Sequence, residues 1–409
     1  MKKLITSLSV LLPILVPEVS RAADHVIMIS TDGLRPAAIE QLLASGDLPT
    51  FKKLQQESVW THNARTAFAS TSTVPNHVSM ITSRSVDGTE GHGYATNKDP
   101  APTDTIHATK GSYVASAFDV AHDHGKTTSF HRSKTKLAII DQSYSALTGA
   151  PDATDYDDGT AKIDVTGYDE TDDQSAQLVQ MFLSDLGSQN IHLAFLHLVD
   201  PDRQGHGSHW EEQVYFDAVI RVDHYLSQII HFVENNEPYA GRTTIIFTAD
   251  HGGSGKSHSD EGDPENYVIP FYVWGADVSA SGNLYAINQA TRLDPLTERP
   301  DLEAPLQPIR NGDMGNLALD LLGLSAIPGS NINQDQSLLI SPSNPPIPEL
   351  SIRSLATGNI QLQWTGNEES TVQYSTNGAT WHNAATGRIR YYIDEAQSAE
   401  KKFYQLKVD

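Results

Sequence analysis

The sequence predicts an α/β protein, a mainly parallel sheet flanked by helices, with a small antiparallel β module at its C-terminal end. Three observations carry that expectation. Short apolar runs recur, each running into acidic residues; amphipathic helical stretches lie between them; and beyond a Pro/Ser-rich segment the pattern changes to period-two alternation. A chain of 409 residues has room for one large domain and one small one.

At the N-terminus, Lys2 and Lys3 precede an apolar run from Leu4 to Val16 and then Ser20-Arg21-Ala22, the order of a secretory signal peptide cut after Ala22. Pro13 and Pro17 break the run, and it falls short of the roughly 20 residues that a membrane-spanning helix needs. No later stretch reads as a membrane span, so the expectation is a secreted or periplasmic protein, with 1–22 removed and a main domain over 23–340.

Within that domain, His25 to Ser30 leads to Asp32, Leu193 to Val199 to Asp200 and Asp202, and Thr243 to Phe247 to Asp250. Each run reads as a buried parallel strand. Helices are expected from Pro36 to Leu43, with Pro at the first helical position, and along Tyr215, Val219, Val222, Leu226, Ile229 and Val233, which share one face at 3.6-residue spacing. Ligands of such sheets bind beyond the carboxyl ends of the strands, so Asp32, Asp202 and Asp250 should converge on one edge.

The stretch Asp152 to Asp173 is strongly acidic and reads as a solvated surface insertion in preference to a calcium loop, because it lacks the spacing of an EF-hand. Residues 341–348, SPSNPPIP, read as a linker. In 349–409, Ile360 to Trp364, Val372 to Tyr374, Arg390 to Tyr392 and Phe403 to Leu406 alternate between faces, with turn residues such as Thr376-Asn377-Gly378 between them. They suggest a sandwich-like module. Surface or glycan contact and simple capping of the main domain are equally open roles for it.

Composition narrows the chemistry. A net charge of −23 argues against sequence-specific binding to nucleic acid, and the absence of Cys removes disulfides, thiolate nucleophiles and Cys-based metal sites. Asp32, at a strand end before Gly33, is by itself no more than a helix cap. In Thr71-Ser72-Thr73-Val74-Pro75-Asn76-His77, Pro75 is expected at the first helical position, which puts Thr73 beside a helix N-terminus. A plain N-cap is the preferred reading of that segment alone; an anion site is the other. Asp202 and His206, in an expected loop whose glycines would let the backbone close around an ion, are metal-ligand types, as are the adjacent Asp250 and His251 and the nearby His258. Counting donors gives one set of Asp32, Asp250, His251 and the Thr73 oxygen, and a second of Asp202, His206 and His258 with an open position. Such a pair suits two divalent ions acting in hydrolysis, zinc first and manganese second.

The motifs DGLR, TSTVPNH, HGYATN, DPDRQGH, TADHGG and His258, in this order, resemble the alkaline phosphatase superfamily, in its type I phosphodiesterase/nucleotide pyrophosphatase branch. The resemblance extends over about 24–340, including Arg310-Asn311-Gly312-Asp313 and Leu321 to Leu324. It implies an alkaline-phosphatase-like fold and two metal ions held by the two sets above. It also implies Thr73 as nucleophile, Asn97 as a donor to a phosphoryl oxygen, and hydrolysis of phosphate diesters or nucleotide pyrophosphates on phosphorylated small molecules through a phosphothreonine. His77 and His92 read as scaffold, His92 the nearer to the site. Phosphonate hydrolysis and phosphomonoester hydrolysis share the same metal core; a calcium-dependent surface-binding protein without catalysis is the alternative of another class.

Overall fold

The computed structural model describes residues 23–146, 161–171, 174–278 and 281–341, and beyond these 350–354, 360–364, 370–376, 380–387, 391–394 and 403–408. The expected signal peptide, nearly all of the linker, and half of the acidic stretch lie outside the described residues.

Eight strands form one sheet: β1 (His25–Thr31), β2 (Val59–Arg65), β3 (Thr128–Arg132), β4 (Val165–Tyr168), β5 (Leu193–Leu198), β6 (Thr243–Ala249), β7 (Val268–Gly275) and β8 (Gly282–Asn283), in the order β4-β3-β5-β1-β6-β7-β2-β8. The three runs recognised in the sequence are its centre. β1 pairs in parallel with both β5 and β6, so Ile27 lies between Ala194 and Ile245. Every residue of these three strands is buried, which is why they read as continuous apolar runs rather than as alternation. The sheet stays parallel on the β3 and β4 side, while β7 runs antiparallel to β6 and to β2.

Helices cover the sheet. Pro36–Ser45 begins with its proline in the first turn and ends at Gly46 in the left-handed region, where glycine carries no steric penalty. Gln213–Asn235 buries Tyr215, Val219, Val222, Leu226, Ile229 and Val233, the stripe expected from the sequence. No helix among the described residues is long and apolar enough to cross a membrane.

The C-terminal strands are β9 (Leu350–Ser354), β10 (Ile360–Trp364), β11 (Ser370–Ser375), β12 (His382–Gly387), β13 (Tyr391–Asp394) and β14 (Phe403–Val408). They form two three-stranded antiparallel sheets, β13-β10-β9 and β12-β11-β14, with Leu362 and Val372 buried.

Candidate active site

The three acids meet at the carboxyl edge of β5, β1 and β6. Asp32 follows β1, and its backbone N–H donates to the Leu198 carbonyl at the end of β5 (2.8 Å). Asp250 follows β6 directly. Asp202 does not lie in a loop, as expected, but in the first turn of a helix, Asp200–Gly207. Pro201 in the first turn and two acids against the helix dipole stabilise that start in spite of the glycines. One helical turn then brings His206 Nε2 within 3.4 Å of Asp202 Oδ1.

Glycines let these segments approach, though for a reason other than the expected one. Gly33 (φ +70°) sits so close to Asp202 that a Cβ would fall 2.9 Å from its Cα. Gly205 and Gly253 lie against the buried indole of Trp210, and a Cβ at either would overlap the ring. They make room for a tryptophan rather than for an ion. Trp210 Nε1–H donates to the Gly33 carbonyl (2.9 Å), so one side chain ties the three segments together.

Two groups of side chains present donor atoms that lie within 4.8 Å of one another: Asp32, Asp250 and His251, and Asp202, His251 and His258. His251 belongs to both. His206 joins neither tight group; it stands at the mouth with 45% of its side chain exposed, its ring 5.1 Å from that of His258. The imidazoles are oriented by backbone carbonyls: Nδ1 donates to Gly252 in His251 (2.8 Å), to Thr71 in His258 (2.7 Å) and to Lys256 in His206 (2.9 Å). Each Nε2 is thereby the nitrogen turned toward the acids, the one a metal ion would meet, as in metal-ligating histidines.

The donor set fits divalent cations. Asp32 Oδ1, Asp202 Oδ1 and Asp250 Oδ2 are all buried without a hydrogen-bond partner, one from each of the three acid-bearing segments. Buried anionic oxygens in that condition are costly unless a cation meets them, and carboxylate oxygen with imidazole nitrogen is a donor mixture that zinc and manganese accept.

Charge separates the three acids. Burial and the neighbouring Asp32 push the Asp250 carboxyl up to about 7. At Asp32 the same burial is overcome by Lys134, His197 and His251, which hold it well below the usual carboxylate range. Burial and the adjacent His251 lower His258 to about 3, leaving it neutral, the form that ligates metals.

Thr73 opens the helix Thr73–Thr82, with Ser72 at the cap position and Pro75 two residues further in. Thr73 is therefore not the N-cap that its own segment suggested, and Pro75 is not the first helical residue. Its Oγ1 lies 3.4 Å from His251 Nε2. Asn97 accepts from the Val74 N–H through Oδ1 (3.2 Å), which sets its amide beside Thr73 at the helix start. The two scaffold histidines exchange their expected places. His77 donates to the Thr73 carbonyl (2.8 Å) and lies 3.8 Å from Asp250, whereas His92 is held away by Ser79 and by the Tyr94 N–H.

A cavity of about 550 Å³ opens over this edge, with Thr73, Asn97, Asp202, His206 and His258 at its base and Asp99, Lys136, Glu170 and Arg203 around it. Sequence reasoning assigned no role to three polar residues at this edge. His197 donates to Asp32 Oδ2 (3.0 Å), and its only signal was a lone imidazole in the run LAFLHL. Asn311 ties Asn76 to the backbone at Asp250. Lys134, just past β3, reaches Asp32 and Asp202.

A mainly parallel sheet that gathers acids and imidazoles beside a helix-start threonine defines an alkaline-phosphatase-like phosphoesterase. A family model described as type I phosphodiesterase / nucleotide pyrophosphatase matches residues 26–274, and the chain belongs to that family. Among solved structures it is similar to murine ectonucleotide pyrophosphatase/phosphodiesterase 5, an inactive variant in complex with AMP (14% identity, 76% of this chain and 99% of that one, TM-score 0.51). A second is the lipoteichoic acid synthase LtaP of Listeria monocytogenes (12% identity, 86% and 82%, TM-score 0.50). These are likenesses of fold. Among curated proteins it resembles GPI ethanolamine phosphate transferase 1 of Mus musculus, 29% identical over 140 residues, and that of Yarrowia lipolytica, 26% identical over 192. The matched segments take up 34% and 46% of this chain but only 14% and 20% of those longer relatives.

Proposed function

We propose that the protein is a secreted or periplasmic two-metal hydrolase that cleaves phosphate diesters or nucleotide pyrophosphates through a phosphothreonine. The observation that carries this reading is the set of three unpartnered carboxylate oxygens, one from each acid-bearing segment, gathered beside Thr73 and oriented imidazoles. Asp32, Asp250 and His251 with Thr73 would hold one ion, and Asp202, His206 and His258 the other. Bound there, the cations supply Lewis acidity that lowers the pKa of the threonine hydroxyl and offsets charge on the phosphoryl and leaving oxygens.

The remaining steps belong to the chain. Thr73 Oγ1 attacks phosphorus in line, the bond from phosphorus to the leaving oxygen breaks, and the departing alcohol or phosphate takes up a proton. The Thr73 position at a helix start aims backbone N–H groups at the phosphoryl oxygens, and Asn97, its carbonyl engaged by Val74, directs its NH₂ to the same charge. Water then attacks the phosphothreonine, restores the hydroxyl and releases the phosphorylated product.

Within the diesters, the cavity favours small polar head groups over nucleotides. Its described lining includes Asp99, Lys136, Glu170 and Arg203 and no aromatic ring except imidazoles on which a base could stack. The ethanolamine phosphate in the names of the curated relatives is a head group of that kind.

The test is hydrolysis by zinc-loaded protein of a bis-aryl phosphate diester, the matching aryl monoester, an aryl ester of phosphoethanolamine and an aryl nucleotide. Preference for diesters, and among them for the phosphoethanolamine ester, supports the reading. Monoester preference overturns the diester assignment and leaves the metal core; turnover of none of them moves phosphonates to the front.

A further inference from the structure

Lys134 takes no part in the steps above, yet it lies at the centre of the acids. Its Nζ is 2.5 Å from Asp202 Oδ2 and 2.7 Å from Asp32 Oδ2, and the residue is buried. Sheet order explains the placement. β3 neighbours β5, whose end leads to Asp202, and β5 neighbours β1, whose end leads to Asp32, so a long side chain just beyond β3 reaches both. Ser133 fixes the backbone before it: its N–H donates to His197 Nδ1 (3.3 Å) and its hydroxyl to the His197 carbonyl (2.9 Å).

The two carboxylates divide their oxygens in the same way. In each, Oδ2 faces the ammonium, while Oδ1 has no hydrogen-bond partner and faces the histidines: Asp32 Oδ1 is 3.3 Å from His251 Nε2, and Asp202 Oδ1 is 3.8 Å from His258 Nε2. One cation thus holds one acid from each of the two candidate metal groups.

We propose that Lys134 is an internal countercharge that holds Asp32 and Asp202 together by their Oδ2 atoms in the metal-free protein, standing in for the charge that the metal ions supply once bound. The inference rests on the metal-site reading above, but it concerns assembly of the site and is tested without turnover. A buried acid pair that loses its ammonium is repelled and desolvated without compensation. A divalent ion can supply the missing charge. Loss of Lys134 therefore burdens the metal-free protein more than the zinc-bound one, and by linkage zinc must stabilise such a variant more than it stabilises the wild type. Loss of a side chain that merely packs lowers both forms equally.

The experiment is thermal melting of full-length wild type, K134M and K134R, each in chelator and in excess zinc. K134M is expected to melt far below wild type in chelator and close to it in zinc, so that the zinc-induced rise exceeds that of wild type by about 5 °C or more. K134R, which keeps the charge, is expected to return most of the metal-free stability. Equal depression of K134M in both buffers overturns the proposal, and so does K134M that fails to fold even with zinc present. A wild type whose melting does not respond to zinc would instead overturn the metal-site reading beneath it.

Discussion

Asp32, Asp250 and His251 are fully buried at the ends of adjacent strands, whereas His206 sits in the last turn of a short helix with 45% of its side chain exposed. The first half of the site is fixed by the sheet: β1 and β6 pair in register to their last residues, and the Asp250 carboxylate is further held by the Gly33 and His251 N–H groups. The second half faces the cavity. On the proposed function, a site divided in this way would keep Thr73 beside the fully buried ligands and let substrate arrive past His206, the exposed one of the set.

That contrast can be tested in order of expected effect. Thr73→Ala removes the proposed nucleophile and should reduce turnover at least about 10³-fold, with zinc content and melting temperature unchanged. Retained activity would place the nucleophile at Ser72 or Thr71. Zinc affinity measured against a chromophoric chelator should separate the halves next: Asp250→Asn is expected to weaken binding more than about 100-fold, His206→Asn by about 10–100-fold. Equal losses would erase the distinction. Asn97→Ala, which removes one donor from the cavity floor, should lower kcat by about 10²–10³-fold with little change in KM; a loss confined to KM would make Asn97 a binding residue only.

The smallest effect concerns a histidine that ligates nothing. Burial lowers His92 to about 3, so it is neutral in the folded protein while the unfolded chain takes up a proton below about 6.5. Stability from this group is therefore complete above pH 6.5 and is lost progressively as pH falls toward 3, by about 2 kcal/mol at pH 5. His92→Gln should show a shallower decline in melting temperature between pH 8 and pH 5 than wild type. Parallel curves would mean that other groups set the acid sensitivity.

The half fixed by the sheet was also the more legible one. Strands buried on both faces leave unbroken apolar runs, and acids at their ends stand out, so β1, β5, β6, Asp32 and Asp250 could be read directly. β2 could not: in VWTHNAR the half-buried residues are Trp60, His62 and Asn63, polar Thr61 and Arg65 are buried, and the register shifts against β7. The helix Asp200–Gly207 resembles a loop in sequence because it holds Pro201, Gly205 and Gly207; the proline in fact serves its first turn, and Gly205 serves Trp210. Lys134 left no local signal at all. Its role comes from the order of strands across the sheet, which a single sequence does not display.

Trp210 gives the molecule an optical handle. Its ring lies between Gly205 and Gly253 and its N–H is bonded to Gly33, so the indole is enclosed by the same segments that carry Asp32, Asp202 and Asp250. Movement of those segments alters the polarity around a single fluorophore. The emission of that ring, read against the other four tryptophans of the chain, would therefore register any change in the packing of those segments, such as ion binding brings, without an added label.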